Sequence, residues 1–437
     1  MSSFEIGIIS ILTILVLIYG GMYVPVVLGL VSFVGVWAIK GKLMIAIKLL
    51  TLAASDSIAS YLFGVIPLFV LMGLLVGAAD MGKDAFAVAN QAFRRVRGGL
   101  GIATVAANAI FAAITGISIA SAAIFTRVAV PEMLRFGYRP RFAVGVVAGS
   151  SILGMLIPPS LLLILYAVLT EQSVGDMFLA GVIPGILLSL AFCAGILGVA
   201  WFAPSLIGGQ ISGDVAPEAL MSGRRMIAKL APIFGLVVMV IGGIYGGVFT
   251  PTEAGAAGAL GALVIAIVKR KLDLAAFWRV LIETGHITAS ICFLVIAASM
   301  YSRMLGLSGI AMELGVFVEQ GNLGLYGLLA VYVVLLLLLG TVLDSTSIIL
   351  IMVPLFMPML APFEVDLVWF GIITVIGVEI GLLTPPLGIA AYVIKSTLEG
   401  DEISLFDIFA GAFPFAVIML AMVILIIAVP EIALALL

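Results

Sequence analysis

Two short stretches interrupt an otherwise apolar chain with small and oxygen-bearing residues: Thr115-Gly116-Ile117-Ser118 and Gly340-Thr341-Val342-Leu343-Asp344. Further along, each is followed by a Gly-x-x-x-Pro-Pro interruption, Gly154 to Pro159 after the first and Gly381 to Pro386 after the second. Proline lacks an N–H and its ring blocks a carbonyl one turn back, so a helix breaks there. Backbone freed in an apolar setting is tolerated only where it is buried in protein or lines a watery cavity. A tip facing an unwound segment leaves several carbonyls pointing into one small space. That is an oxygen cage for a hard cation such as sodium, and half-helix N-termini favour an anion beside it. The competing account is that these glycines only let helices pack closely.

Asp344 is the sharpest single residue, because a carboxylate inside an apolar span is a functional candidate by default. Ser345, Thr346 and Ser347 follow it, which suggests ion coordination; a hairpin cap is the plainer alternative. Arg303 ends a span and could pair with a substrate carboxylate or snorkel to the interface. Glu253, just after Thr250-Pro251-Thr252, reads first as a helix-start acid. Gly77 through Lys83 imitates the start of a phosphate loop, but Asp84 replaces the required Ser or Thr and no strand precedes it. Cys193 and Cys292 lie in apolar runs and His286 stands alone, so neither a disulfide framework nor a metal site is suggested.

The elements that must position these residues are transmembrane helices. Of 437 residues, 64% are hydrophobic, 10% are charged and the mean hydropathy is +1.37, whereas soluble chains are nearer a quarter charged. The first segment lacks the basic start and small-residue cleavage site of a signal peptide and reads as a retained span. Phrases recur in order: Ile18–Pro25 as Ile244–Pro251, Lys42-Leu43 as Lys271-Leu272, Met81-Gly82 as Leu305-Gly306, and both tips and both Pro-Pro breaks. The chain is therefore expected to be all-α and polytopic, with a first repeat at 1–203, a polar linker at 204–229 and a second repeat at 230–437. Each repeat holds five spans and a re-entrant hairpin, at about 98–134 and 324–360. In the first repeat the spans are expected near 5–20, 22–39, 61–79, 142–169 and 177–203. In the second they are expected near 230–248, 252–268, 284–304, 368–394 and 405–432.

An odd number of spans per copy makes the repeats inverted. Arg94, Arg95 and Arg97 enter the first hairpin, and Arg135, Arg139 and Arg141 leave it, so both of its ends face the cytoplasm. The second hairpin is flanked by Gln320-Gly321-Asn322 and by Glu364 and Asp366, so it opens on the other side. Lys40, Lys42 and Lys48 fall outside on this count, against the positive-inside tendency.

Thr115 to Ser121, Val130-Pro131-Glu132-Met133, Gly137-Tyr138, Ile157-Pro158-Pro159-Ser160, Gly181-x-x-Pro184-Gly185, Thr250 to Gly255 and Gly381 to Pro386 together resemble the large membrane subunit of tripartite ATP-independent periplasmic (TRAP) transporters. The resemblance runs over essentially the whole chain. It implies an elevator-type transporter architecture and sodium-coupled uptake of organic acids. It also implies a small membrane subunit, a periplasmic substrate-binding protein, and a bacterial or archaeal cytoplasmic membrane. Carried over, one sodium site uses Thr115, Gly116, Ile117, Ser118, Gly154, Ile157 and Pro159, with Ile117 offering only its carbonyl. The other uses Gly340, Thr341, Asp344, Gly381, Thr384 and Pro386. Ser121, Arg303, Ser345 and Glu253 are the candidates for substrate contact. No nucleotide, nucleic acid or catalytic residue is expected.

Two other functions compete. A free-standing sodium-coupled carboxylate symporter or antiporter would work without a binding protein. A proton-translocating subunit of a membrane enzyme complex would carry a chain of Lys, Glu and His at mid-membrane, and this sequence has almost none.

Overall fold

The computed structural model describes residues 2–207, 221–310, 313, 324–386, 388–398 and 403–437. The middle of the expected linker and the Gln320–Asn322 flank lie outside the described residues. Every regular element among the described residues is helical. The first half runs α1 Ser3–Tyr19, α2 Val24–Lys40, α3 Leu43–Ala59, α4 Val65–Ala78, α5 Met81–Phe93, α6 Gly99–Thr115 and α7 Ser118–Arg135. It continues with α8 Pro140–Ser151, α9 Leu153–Leu156, α10 Leu161–Thr170 and α11 Val174–Phe202. The second half runs α12 Gly223–Tyr245, α13 Pro251–Val268, α14 Leu274–Ser308, α15 Gly324–Gly340, α16 Ser345–Leu360, α17 Leu367–Gly381, α18 Ile389–Thr397, α19 Leu405–Ala428 and α20 Glu431–Leu434.

Among the described residues, six helices are long and apolar enough to cross a membrane, or up to eight if each bent pair is one span. The bent pairs are α4 with α5, and α8–α9 with α10. Length alone would count α16 among the spans, but α16 returns from a tip it shares with α15 and is a hairpin arm. The expected span at 142–169 is broken at Ile157–Ser160, and the one at 368–394 is broken between α17 and α18. Both Pro-Pro bonds, 158–159 and 385–386, are cis.

Three boundaries differ from the sequence expectation. α12 begins at Gly223, inside the expected linker, because Ser222 caps it by accepting from Arg225 N at 3.4 Å. α14 is one helix of 35 residues, beginning ten residues before the span expected at 284–304. Its counterpart in the first half is divided into α3 and α4 by a 3₁₀ turn at Tyr61–Gly64. The last span ends at Ala428, and Pro430 caps the separate short α20.

The helices form two packed groups. In one, α13 lies on α4, and α14 lies on α1, α2, α3 and α4. These helices keep large apolar side chains on the outside, including Leu12, Val16, Leu30, Trp37 and Leu260, as a chain solvated by lipid does. In the other group, α6, α8, α10 and α17 are buried nearly along their length. Their backbones approach closely. A Cβ on Gly145 of α8 would lie 2.1 Å from the Gly411 carbonyl oxygen of α19, so only glycine permits that crossing.

Both ends of the first hairpin sit beside the end of α11. Gly98 faces Ile196, Ala200 and Ile207, and Arg139 N donates to Leu206 O at 3.0 Å. The hairpin therefore enters and leaves on one side. Near its exit, Arg141 Nη2 donates to Ala410 O at the start of α19. The exit of the second hairpin leads into Leu367 and Trp369, and Trp369 Nε1 donates to Ile426 O at 2.8 Å, near the end of α19. At 1.5 Å per residue, Ala410 and Ile426 are about 24 Å apart along that helix. The two hairpins thus open at opposite ends of α19.

Candidate functional site

The first tip forms because α6 ends on Gly116, whose φ of +65° is open to glycine and strained for other residues. Its N–H bonds back to Ala112 O, and Thr115 Oγ1 donates to Phe111 O at 2.9 Å. The tip seats directly on the first break. Gly116 O accepts from Leu161 N at 3.1 Å, and a Cβ on Gly116 would lie 2.6 Å from Pro159 O. Gly154 lies against the Ile117–Ser118 peptide, where a Cβ would meet both Ile117 O and Ser118 N at 3.2 Å. Ser160 caps the restarting helix by accepting from Leu163 N at 3.3 Å. Thr115, Gly116, Ile117, Ser118, Gly154 and Pro159 are thus brought into one place. Ile157 packs its side chain toward Gly185 of α11. Gly73 of α4 closes on the tip from the other helix group, where a Cβ would lie 2.6 Å from Thr115 O.

The second tip is arranged differently. Gly340 and Gly381 touch backbone to backbone, with a Cβ on either lying 2.5 or 2.6 Å from the other's Cα. Thr341 Oγ1 donates to Leu338 O and Thr384 Oγ1 to Ile380 O, so both hydroxyl protons are engaged within their own chain segments. Asp344 caps α16, accepting from Ser347 N at 3.1 Å and from Ser347 Oγ. The capping geometry is real, and it leaves further lone pairs on both carboxylate oxygens. Pro385 and Pro386 are exposed, whereas Pro158 and Pro159 are buried. The first break is covered by its tip; at the second, Gly340–Gly381 is the close contact and the Pro-Pro segment stays open.

The substrate candidates scatter. Arg303 Nη2 donates to Asp56 Oδ2 at 2.6 Å, tying α14 to α3. Glu253 completes a capping box with Thr250, its carboxylate accepting from Thr250 N and Thr250 Oγ1. Both groups have partners other than a substrate. Ser121 is fully buried on α7 with its Oγ unpartnered. Ser345 Oγ donates to Glu379 Oε1 at 2.7 Å.

Glu379 is the residue that sequence reading missed. It is 1% exposed in the last turn of an apolar helix. The rule that singles out Asp344, a carboxylate inside a span, applies to it equally. Asn108, buried in α6, donates to Ser150 Oγ at 2.7 Å and leaves its own Oδ1 unpartnered.

On the side of the molecule where the first hairpin begins, Asp84 of α5 binds Lys229 at 2.6 Å and Lys269 at 2.5 Å, and Asp80 binds Lys83 and Lys271. Burial works to raise the Asp84 carboxyl, but the two lysines outweigh it and hold the group below the usual carboxylate range.

Comparison with known proteins matches residues 11–432 to the family model described as "Tripartite ATP-independent periplasmic transporter, DctM component". The C4-dicarboxylate TRAP transporter large permease protein DctM of Pseudomonas aeruginosa is 34% identical over 392 residues, covering 90% of each chain. The sialic acid TRAP transporter large permease protein SiaM of Vibrio cholerae is 32% identical, over 76% of each chain. The ectoine/5-hydroxyectoine TRAP transporter large permease protein UehC of Ruegeria pomeroyi is 30% identical over 97% of this chain and 96% of its own. Among solved structures, the YdaH transporter of Alcanivorax borkumensis shares the fold, with a TM-score of 0.58 over 85% of this chain and 87% of its own, at 15% identity. These relatives are transporters rather than enzymes. This chain is a multi-pass membrane protein and belongs to the DctM family of TRAP transporter large permeases.

Proposed function

We propose that this chain is the permease subunit of a bacterial inner-membrane importer that moves a small organic acid by sodium symport. The observation that carries the reading is the first tip on its broken helix. Gly116, Ile117 and Pro159 bring backbone carbonyls together around Ser118 and Gly154, a buried set of neutral oxygens of the kind that suits a hard cation of low charge. The second tip offers Asp344 beside Gly340 and Gly381 for a second ion. The hairpin-bearing helices form the moving body in an elevator motion, and the α1–α4 and α12–α14 group forms the fixed scaffold. Relatives named for C4-dicarboxylates and sialic acid support a carboxylate substrate. The family also supports two partners, a small membrane subunit and a periplasmic binding protein.

The test is reconstitution. The purified chain alone in liposomes, under an inward sodium gradient, should take up neither labelled succinate nor labelled sialic acid. Uptake of the carboxylate that the binding protein carries should appear when the small subunit and the loaded binding protein are added. Replacing external sodium with potassium should abolish it, and ATP should change nothing. Robust uptake by the chain alone would favour the free-standing symporter; uptake indifferent to sodium would reject the symport reading.

A further inference from the structure

Ser118 and Ser345 hold the same position in their hairpins, each being the first residue of the returning arm, α7 or α16. One side chain from a third helix meets both. Glu379 of α17 accepts from Ser345 Oγ through Oε1 at 2.7 Å, and the hydroxyl of Ser118 is the other polar side chain facing its carboxyl. Its second oxygen, Oε2, is buried without a hydrogen bond. No ion pair among the described residues includes it. Two residues on, Gly381 carries the backbone contact with Gly340, so α17 is anchored to the second hairpin at the same level.

A carboxyl in so apolar a place is expensive unless its polar atoms are matched. Filling the space would need only a leucine or methionine. What the carboxyl adds is a hydrogen bond to the second hairpin, through Ser345, made beside the Ser118 hydroxyl of the first. In a water-excluded interior the Ser345 bond is strong and sensitive to displacement. Moving either tip changes what the same carboxyl offers the other.

We propose that Glu379 is a positioning residue that ties Ser118 at the first tip to Ser345 at the second, so that an ion bound at one tip favours ion binding at the other. This rests on the sodium reading above. Glu379 itself touches neither ion nor substrate; it acts through the two serines. The amide oxygen of a glutamine can accept from Ser345 as the carboxylate does, whereas leucine keeps the bulk and loses both oxygens.

The test is equilibrium binding of radioactive sodium to the purified chain with its small membrane subunit, with no substrate present. The wild type should bind sodium sigmoidally, with a Hill coefficient above one. Glu379→Leu should lower that coefficient to about one and raise half-saturating sodium, and Glu379→Gln should restore most of the cooperativity. Ser345→Ala should behave as Glu379→Leu does, and combining the two should add little further. If Glu379→Leu fails to assemble, Ser345→Ala and Ser118→Ala carry the same comparison, each expected to flatten the curve. An unchanged Hill coefficient in these variants, or a glutamine variant as defective as the leucine one, overturns the coupling. Hyperbolic wild-type binding overturns it while leaving symport intact. Absence of wild-type sodium binding removes both readings.

Discussion

At Asp344 the capping role and the ion role coexist on one side chain, and they separate under substitution. An N-cap asparagine still accepts from a backbone N–H, so Asp344→Asn preserves the start of α16 while removing the charge. Sodium activation of uptake should shift to higher concentration, with assembly and thermal stability retained. An unchanged sodium curve would return Asp344 to capping alone. Gly381→Val should be harsher, because its side chain would enter the space of Gly340 Cα, 2.6 Å from a Cβ. That displaces α15 from α17 and with it the whole second tip, so transport should be lost rather than shifted. Gly116 combines both penalties, a positive φ and a carbonyl in the way. A Gly116→Ala variant should insert but lose sodium-dependent uptake.

Between elements, the most exacting contact is the crossing of α8 and α19. Cβ atoms on Gly145 and Gly411 would lie 2.1 Å and 2.0 Å from facing carbonyl oxygens. Overpacking of this kind costs about 1–3 kcal/mol, so Gly145→Ala should visibly lower the melting temperature of the purified protein. A second link, Asp84 with Lys229 and Lys269, joins α5 to α12 and α13. Its carboxyl is depressed in the folded state, so its contribution is complete above the usual carboxylate range and is lost as pH falls through the lowered value. Thermal stability should therefore be flat from pH 8 to 6 as far as this group is concerned. Asp84→Asn should reduce it by about 2 kcal/mol, as charged hydrogen bonds do. The hairpins and both broken helices were legible in the sequence because glycine and proline punctuate them locally. The Asp84 link was not, because Lys229 and Lys269 are far from it in sequence and each reads by itself as a basic residue at a span end. Glu379 was missed for another reason: its sequence neighbours are apolar, and its hydrogen-bond partner, Ser345, lies on another helix. Arg303 and Glu253 carried a legible charge, but Asp56 and Thr250, which engage them, decide what that charge does.

For the molecule as a whole, the decisive relation is that the two hairpins open at opposite ends of α19. Recurring phrases suggest duplication, but only an odd number of crossings per copy makes the copies antiparallel. Hydrogen bonds place the two hairpin exits at opposite ends of α19, Arg141 to Ala410 at one end and Trp369 to Ile426 at the other. The basic residues agree for the first hairpin, since Arg135, Arg139 and Arg141 at its exit lie on the side that holds Leu206 at the end of α11. The positive-inside tendency would put that side in the cytoplasm. Single reporter cysteines in a Cys193→Ser, Cys292→Ser background make the relation measurable. Phe136→Cys, at the end of α7, should react with a membrane-impermeant maleimide only from the cytoplasmic face of oriented vesicles. Pro362→Cys, exposed just beyond α16, should react only from the opposite face. Lys42→Cys, at the turn between α2 and α3, is the most demanding probe, because counting spans places it with Pro362 against the pull of Lys40, Lys42 and Lys48. Reaction of Phe136→Cys and Pro362→Cys from one face would remove the inverted arrangement. The pairing of the two tips as equivalent ion sites approached from opposite sides would go with it.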